Sequence, residues 1–170
     1  MNTIILNEDK LNSNDIEVVS NKVRAILLDG HKLLIANYGG VYLLPGGSIE
    51  NDESKEKAII RELKEETGID YNISKLECIL TLNYYQKQYP IKHDNFKNRL
   101  SITSFYLGEY KGIDLYRINR TSKEVRDGFY LKLIDYDDID MLINESSNNP
   151  RKIFFDRELS EVKKVLRKTK

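Results

Sequence analysis

Three glutamates near the middle of the chain carry the clearest chemical potential. From Glu53 to Ile69 the sequence reads ESKEKAIIRELKEETGI. Acids at the start, good helix formers throughout and Gly68 as a C-cap predict a helix over about Asp52–Thr67. At about 100° per residue, Glu62, Glu65 and Glu66 fall within roughly one 100° arc, shared with Ala58 and Ile59, while Lys57 and Lys64 lie opposite. An ordinary solvated helix spreads its acids among lysines at i,i+4 spacing. Carboxylates crowded together repel and raise one another's pKa unless a cation compensates. A hard divalent cation is the economical compensation, and Mg²⁺ typically binds carboxylates plus substrate phosphates. Glu-rich helices are common, however, so the glutamates alone fit a surface acidic patch better than a metal site.

The wider spacing decides. Gly47, five residues, Glu53, seven residues, then Arg61-Glu62-Leu63-x-Glu65-Glu66-x-Gly68-Ile69 resembles the Nudix box at all nine of its specified positions. Leu44-Pro45-Gly46 also resembles the approach to the box. The resemblance implies an α/β/α sandwich with a mixed sheet, in which the box forms loop–helix–loop. It implies a hydrolase, dependent on Mg²⁺ or Mn²⁺, that cleaves the pyrophosphate linkage of a nucleoside diphosphate joined to another moiety. By motif position, Glu62, Glu65 and Glu66 would be the metal carboxylates and the Gly46 carbonyl a further ligand. Arg61 and Glu53 would pair to orient the helix, and Gly47 and Gly68 would serve backbone geometry. The general base is Glu62 in some relatives and an acid of a later loop in others; here that loop offers Glu124 and Asp127. Glu124 resembles the family's placement ahead of an aromatic-led strand. The alternative is a binding or regulatory module that senses a nucleotide without turnover. Such modules usually lose box carboxylates, and none is missing.

Substrate contacts are expected outside the box. Tyr84 and Tyr85 stand where an aromatic resembles the base-stacking residue of the family's dinucleoside polyphosphate hydrolases. Lys87 and Arg99, with Lys92, His93 and Lys97 between them, form a basic loop suited to phosphates. Tyr42 and Cys78 read as packing residues, and His31 as an exposed turn residue. Nucleoside triphosphates, dinucleoside polyphosphates and nucleotide sugars are the candidate substrates. ADP-ribose ranks lower, because Tyr84 and Tyr85 hold the place of that group's proline.

These residues need a scaffold. Two apolar runs, VRAILL and KLLIA, flank Asp29-Gly30 and read as a β-hairpin. VYLL is a further short strand. Strands follow at Leu76–Tyr85 and Leu100–Tyr110, joined by the polar segment QKQYPIKHDNFKNR as a loop. Gly128–Ile134 is another strand, Ile139–Ile143 a short helix, and Leu159, Val162, Val165 and Leu166 mark an amphipathic helix within 151–170. Residues 1–16 fit either an edge strand or a tail.

The chain has 170 residues, enough for one domain, here spanning 1–170. Lys+Arg and Asp+Glu both number 27, a balance that argues against a stable nucleic-acid partner or a polybasic membrane anchor. No apolar run approaches the roughly 18 residues of a membrane span. The single cysteine seeds neither a disulfide nor a zinc cluster. A reduced cytoplasm and a small-molecule nucleotide substrate are therefore expected. Homodimers are common in the family, but nothing in the sequence fixes one.

Overall fold

The computed structural model describes residues 2–92 and 95–168. Its elements are β1 (Asn2–Leu6), β2 (Val18–Asp29), β3 (Lys32–Tyr38), β4 (Val41–Leu43), α1 (Lys55–Thr67), β5 (Glu77–Lys92), β6 (Asn95–Glu109), α2 (Ser122–Arg126), β7 (Tyr130–Asp135), α3 (Ile139–Asn144) and α4 (Lys152–Lys168). The sheet runs β1-β5-β6-β2-β3-β4, with β7 also paired to β3. It is mixed: β1 is parallel to β5 and β2 to β6, while the other pairs are antiparallel. Among the described residues, no helix is long and apolar enough to cross a membrane.

Side chains of a strand alternate between faces, and β2 shows what that does here. Val23, Ala25 and Leu27 join the core under α1, with Ala58, Ile59 and Leu63 of that helix. Ile26 joins the opposite core with Phe105, Ile139, Leu159 and Val162, beneath α3 and α4. Lys22 and Arg24 share the parity of Ile26, so one face of β2 changes from apolar to cationic along its length.

Strands β2 and β3 separate almost at once, for only Leu28–Leu33 and Asp29–Lys32 pair between them. The turn is therefore Gly30-His31 rather than Asp29-Gly30, with Gly30 at φ 58°. The loop after β4 lies against β2: Val23 N donates to Gly47 O at 3.0 Å and Ala25 N to Pro45 O at 2.8 Å. Helix α1 follows, capped by the Ser54 hydroxyl, which accepts from Lys57 N at 3.3 Å.

The polar segment expected as a loop over 86–99 is instead mostly strand. Gln86 pairs with Arg99, Tyr89 with Lys97 and Pro90 with Phe96, with register shifts on either side. The segment pairs because it is amphipathic across the ladder: Gln86, Tyr89, Pro90 and Arg99 are buried while Lys87 and Gln88 are exposed. His93 lies outside the described residues. Residues 2–6 form an edge strand on β5.

Candidate functional site

Helix α1 and the loop Gly46–Ser48 make one wall of a cleft of about 570 Å³, with β2, Tyr89 and Ile91 of β5, Arg99 of β6 and the start of α4 opposite. Glu62, Glu65 and Glu66 all line it, as do Gly46, Gly47, Arg61, Arg99 and Glu124.

The two glycines permit the close fit of loop to strand and helix. Gly46 has φ 126°, and a Cβ there would lie 2.3 Å from Val23 O. A Cβ on Gly47 would lie 2.3 Å from Glu62 Oε1, so the Glu62 carboxylate rests directly on the Gly47 backbone. Gly68 ends α1 in the left-handed region.

Arg61 organises the acids from the side. Its Nε and Nη2 donate to Glu53 Oε1 and Oε2, both at 2.9 Å, which is a bidentate pair. Nη1 reaches Glu62 Oε1 at 2.9 Å and Glu65 Oε2 at 3.4 Å, and Nη2 also donates to Ser48 O at 3.1 Å. One guanidinium thus ties the loop, the helix start and two of the three glutamates together. Its hydrogen bonds hold the Glu53 carboxyl below the usual carboxylate range.

Glu66 is the buried member. Its Oε2 accepts from Gly46 N at 2.8 Å, and its carboxyl is pushed up to about 8, chiefly by burial and secondarily by Glu62 and Glu124. Arg24 opposes that shift, reaching across from β2 to donate to the carbonyls of Leu44 (3.2 Å) and Gly46. Burial also raises Glu62, against the pull of Arg61. Charges held this far from solvent favour a cation at the same place.

Glutamates 62, 65 and 66 with the Gly46 carbonyl form a hard-oxygen donor set, the chemistry that suits Mg²⁺ or Mn²⁺. Among the described residues, no three acidic, histidine or cysteine side chains are drawn together at ligand spacing. Arg61 and Gly46 N hold the carboxylates instead. The donor set fits such an ion in kind, and Glu62 and Glu65 would have to turn from Arg61 toward it.

Glu124 stands on α2 across from α1. Its Oε2 accepts from Thr121 N at 2.6 Å and Thr121 Oγ1 at 2.9 Å, which closes the first turn of that short helix. Asp127 does not line this cleft.

The expected substrate contacts divide. Arg99 is in the cleft, buried, with its guanidinium carbon 3.2 Å from the Tyr89 ring centroid and Nε donating to Gln86 Oε1 at 2.7 Å. Tyr84 packs instead in the core under α4, its ring 6.1 Å from that of Phe154. Lys87 is exposed, and neither it nor Tyr85 reaches the cleft. The aromatic side chains that do line it are Tyr38, Tyr89, Phe129 and Phe155.

The remaining wall was not foreseen. Lys22, Arg24 and Arg151 line the cleft beside Arg99. The signal for two of them was present: charged residues at alternate positions at the start of the apolar run of β2, which a strand places together on one face. Arg151 has no such signal, since only the fold brings it to the hairpin, where it donates to Pro90 O at 3.1 Å and Ile91 O at 2.7 Å.

A family model for the NUDIX domain matches residues 20–154. By sequence, the chain is 33% identical over 78 residues to an 8-oxo-dGTP diphosphatase of Proteus vulgaris, covering 46% of this chain and 60% of that protein. The chain thus spans less than two thirds of that curated relative. Among solved structures, the NUDIX domain of Shewanella oneidensis NrtR, complexed with ADP ribose, aligns with a TM-score of 0.53 at 17% identity, over 91% of this chain and 94% of its own. A MutT/nudix family protein from Enterococcus faecalis aligns at 0.47 and 21% identity, over 74% of this chain and 48% of that one.

Proposed function

The chain belongs to the NUDIX family, and from that premise we propose that it is a metal-dependent hydrolase of a pyrophosphate bond in a nucleotide-like small molecule. The observation that carries this reading is the glutamate face of α1, with Glu66 buried and Glu62 resting on Gly47, and all box carboxylates present. The Proteus vulgaris relative, named for 8-oxo-dGTP, supports a nucleoside triphosphate or related anhydride as the substrate class.

In this reading Glu62, Glu65 and Glu66, with the Gly46 carbonyl, hold Mg²⁺ or Mn²⁺. Such an ion, when bound, neutralises phosphate oxygens and lowers the pKa of the attacking water. Arg61 is a positioning residue: its bidentate grip on Glu53 fixes the direction from which its third nitrogen restrains Glu62 and Glu65. Water adds to one phosphorus, the bridging P–O bond breaks, and the water proton passes to a carboxylate. Glu124, opposite α1, is the assigned acceptor, and to act it must leave Thr121. Arg24 opposes the burial that disfavours the charged form of Glu66.

The test is phosphate and nucleoside monophosphate release across a nucleotide panel, with Mg²⁺ or Mn²⁺, comparing the wild type with Glu66→Gln. The expected outcome is wild-type turnover that falls by a factor of a hundred or more in the variant. Silence across the panel, with nucleotides still raising the melting temperature, would replace the hydrolase reading with that of a binding module.

A further inference from the structure

The cleft has two electrically different ends. Glu66 is influenced most, among charges, by Arg24, Glu62 and Glu124. Lys22, in the same cleft, is influenced most by Arg24, Glu158, Arg99 and Arg151. Arg24 therefore stands between an acidic end at α1 and a separate basic end formed by Lys22, Arg99 and Arg151.

That basic end is built and uncompensated. Lys22 is only 8% exposed and Arg99 only 6%. The Lys22 ammonium has no hydrogen-bond or ion-pair partner among the described residues and sits 5.4 Å from the Phe155 ring centroid. Among the described residues, Arg24 Nε is buried without a hydrogen-bond partner, and so are the hydroxyls of Ser101 and Thr103, which lie on the neighbouring strand β6 in register with Ser20 and Lys22. Glu158, 5% exposed, is the carboxylate that acts most on both Lys22 and Arg99. Arg99, Arg151 and the Lys22 ammonium, itself drawn down toward neutrality by burial, face Glu158, a local excess of about one to two positive charges, and buried charge without a partner is costly. Tyr89 lies beneath both guanidiniums, at 3.2 Å from Arg99 and 5.7 Å from Arg151, so both are held in place before any ligand arrives.

A nucleobase or an unsubstituted sugar is neutral and would leave this charge unanswered. A phosphomonoester carries close to two negative charges at neutral pH and accepts several hydrogen bonds at once. We propose that Lys22, Arg99 and Arg151 form a subsite for a second phosphate, distinct from the anhydride cleaved beside α1. The substrate class is then a pyrophosphate-linked molecule that also bears a phosphomonoester. This rests on the hydrolase reading for the cleavage step, but the subsite itself does not.

Two measurements separate them. In metal-free buffer at constant ionic strength, inorganic phosphate raises the melting temperature by on the order of 3–6 °C at ten times its Kd. The rise is lost in Lys22→Met and Arg99→Gln and kept in Glu66→Gln. No phosphate-dependent shift, or one that survives Lys22→Met, overturns the subsite. In the second, turnover with Mg²⁺ is compared within two matched pairs, coenzyme A against 3′-dephospho-coenzyme A and NADP against NAD. At least one phosphorylated member shows kcat/KM tenfold or more above its partner, and Lys22→Met brings that ratio near one. Ratios near one in the wild type for both pairs overturn the specificity while leaving a hydrolase. No turnover of these four compounds or of the nucleotide panel above, with the phosphate shift intact and abolished by Lys22→Met, overturns the hydrolase reading and keeps the subsite.

Discussion

Replacing Lys22 by methionine should stabilise the protein, and by an amount that depends on pH in a defined direction. Burial is the main cause that lowers the Lys22 ammonium from 10.5 to about 7, with Arg24 next. In the unfolded chain the group keeps its ordinary value. Between about pH 7 and 10.5 the unfolded state therefore binds more protons, and stability rises with pH through that window. Below pH 7 the ammonium is charged in both states and the folded state bears the full desolvation penalty. Integrating the two titrations gives a penalty of about 5 kcal/mol at pH 6 and about 2 kcal/mol at pH 9. Methionine has similar length and no charge, so it removes the penalty at both values. Its own packing contributes equally at the two pH values and cancels in the comparison. The variant-minus-wild-type difference should thus be larger at pH 6 than at pH 9 by about 3 kcal/mol, or roughly 6–12 °C of melting temperature at this chain length. The assay is thermal or urea unfolding of both proteins at the two pH values, in buffers free of multivalent anions. A difference independent of pH would show that the ammonium is solvated. A destabilisation at both values would show that it has a partner, and would remove the basis for an uncompensated basic end.

Other substitutions probe the acidic end and its support. Arg61→Lys abolishes the bidentate pair with Glu53 and one restraint on Glu62 and Glu65, since an ammonium cannot reproduce the planar fork. It lowers kcat by roughly 10–100-fold with little change in KM, the pattern for a group that positions others, and an unchanged kcat contradicts the role. Gly46→Ala places a Cβ 2.3 Å from Val23 O at φ 126°, so urea unfolding should show a loss of about 2–4 kcal/mol; a loss under 0.5 kcal/mol would mean the loop does not press on β2. Tyr84→Phe retains the ring in the core, whereas Tyr89→Ala removes the surface beneath Arg99. The second should raise KM several-fold and the first should not, and the reverse order would return Tyr84 to the substrate side.

How much of this was legible in the sequence varies with the range of the interactions involved. Helix α1 was readable because its caps, its apolar stripe and its acids lie within one short segment; only its start moved, to Lys55, since Ser54 supplies the cap. The hairpin tip over 86–99 was not. Its polar residues hide an alternation that appears only when Gln86 faces Arg99 and Tyr89 faces Lys97, and register shifts break the period along the strand. Tyr84 illustrates the same limit. Strand parity says that Tyr84 and Tyr85 point to opposite faces, but not which face α4 will cover. The motif led to the glutamates, because its spacing is local. The cations across the cleft come from residues 22, 24, 99 and 151, and only the fold assembles them.

The placement of Lys22 and Arg24 on one strand face explains why the two ends of the cleft differ in sign without cancelling. Two residues along a strand advance roughly 6.6 Å, so Lys22 and Arg24 address different parts of the cleft. Arg24 is fixed by the carbonyls of Leu44 and Gly46 and answers the α1 carboxylates. Lys22, one step further, lies nearer to Arg99 and Arg151, and the intervening arginine adds to its charge instead of relieving it. A mobile cation at the α1 end would satisfy the glutamates but would do nothing for Lys22, which only an anion can satisfy. The fold thus retains a destabilising charge that packing alone would replace by an apolar side chain, as the companion position Ile26 shows on the same face. Binding sites keep such charges where a ligand supplies the missing partner. A ligand bridged through a cation to α1 and bare toward Lys22 would answer both ends at once.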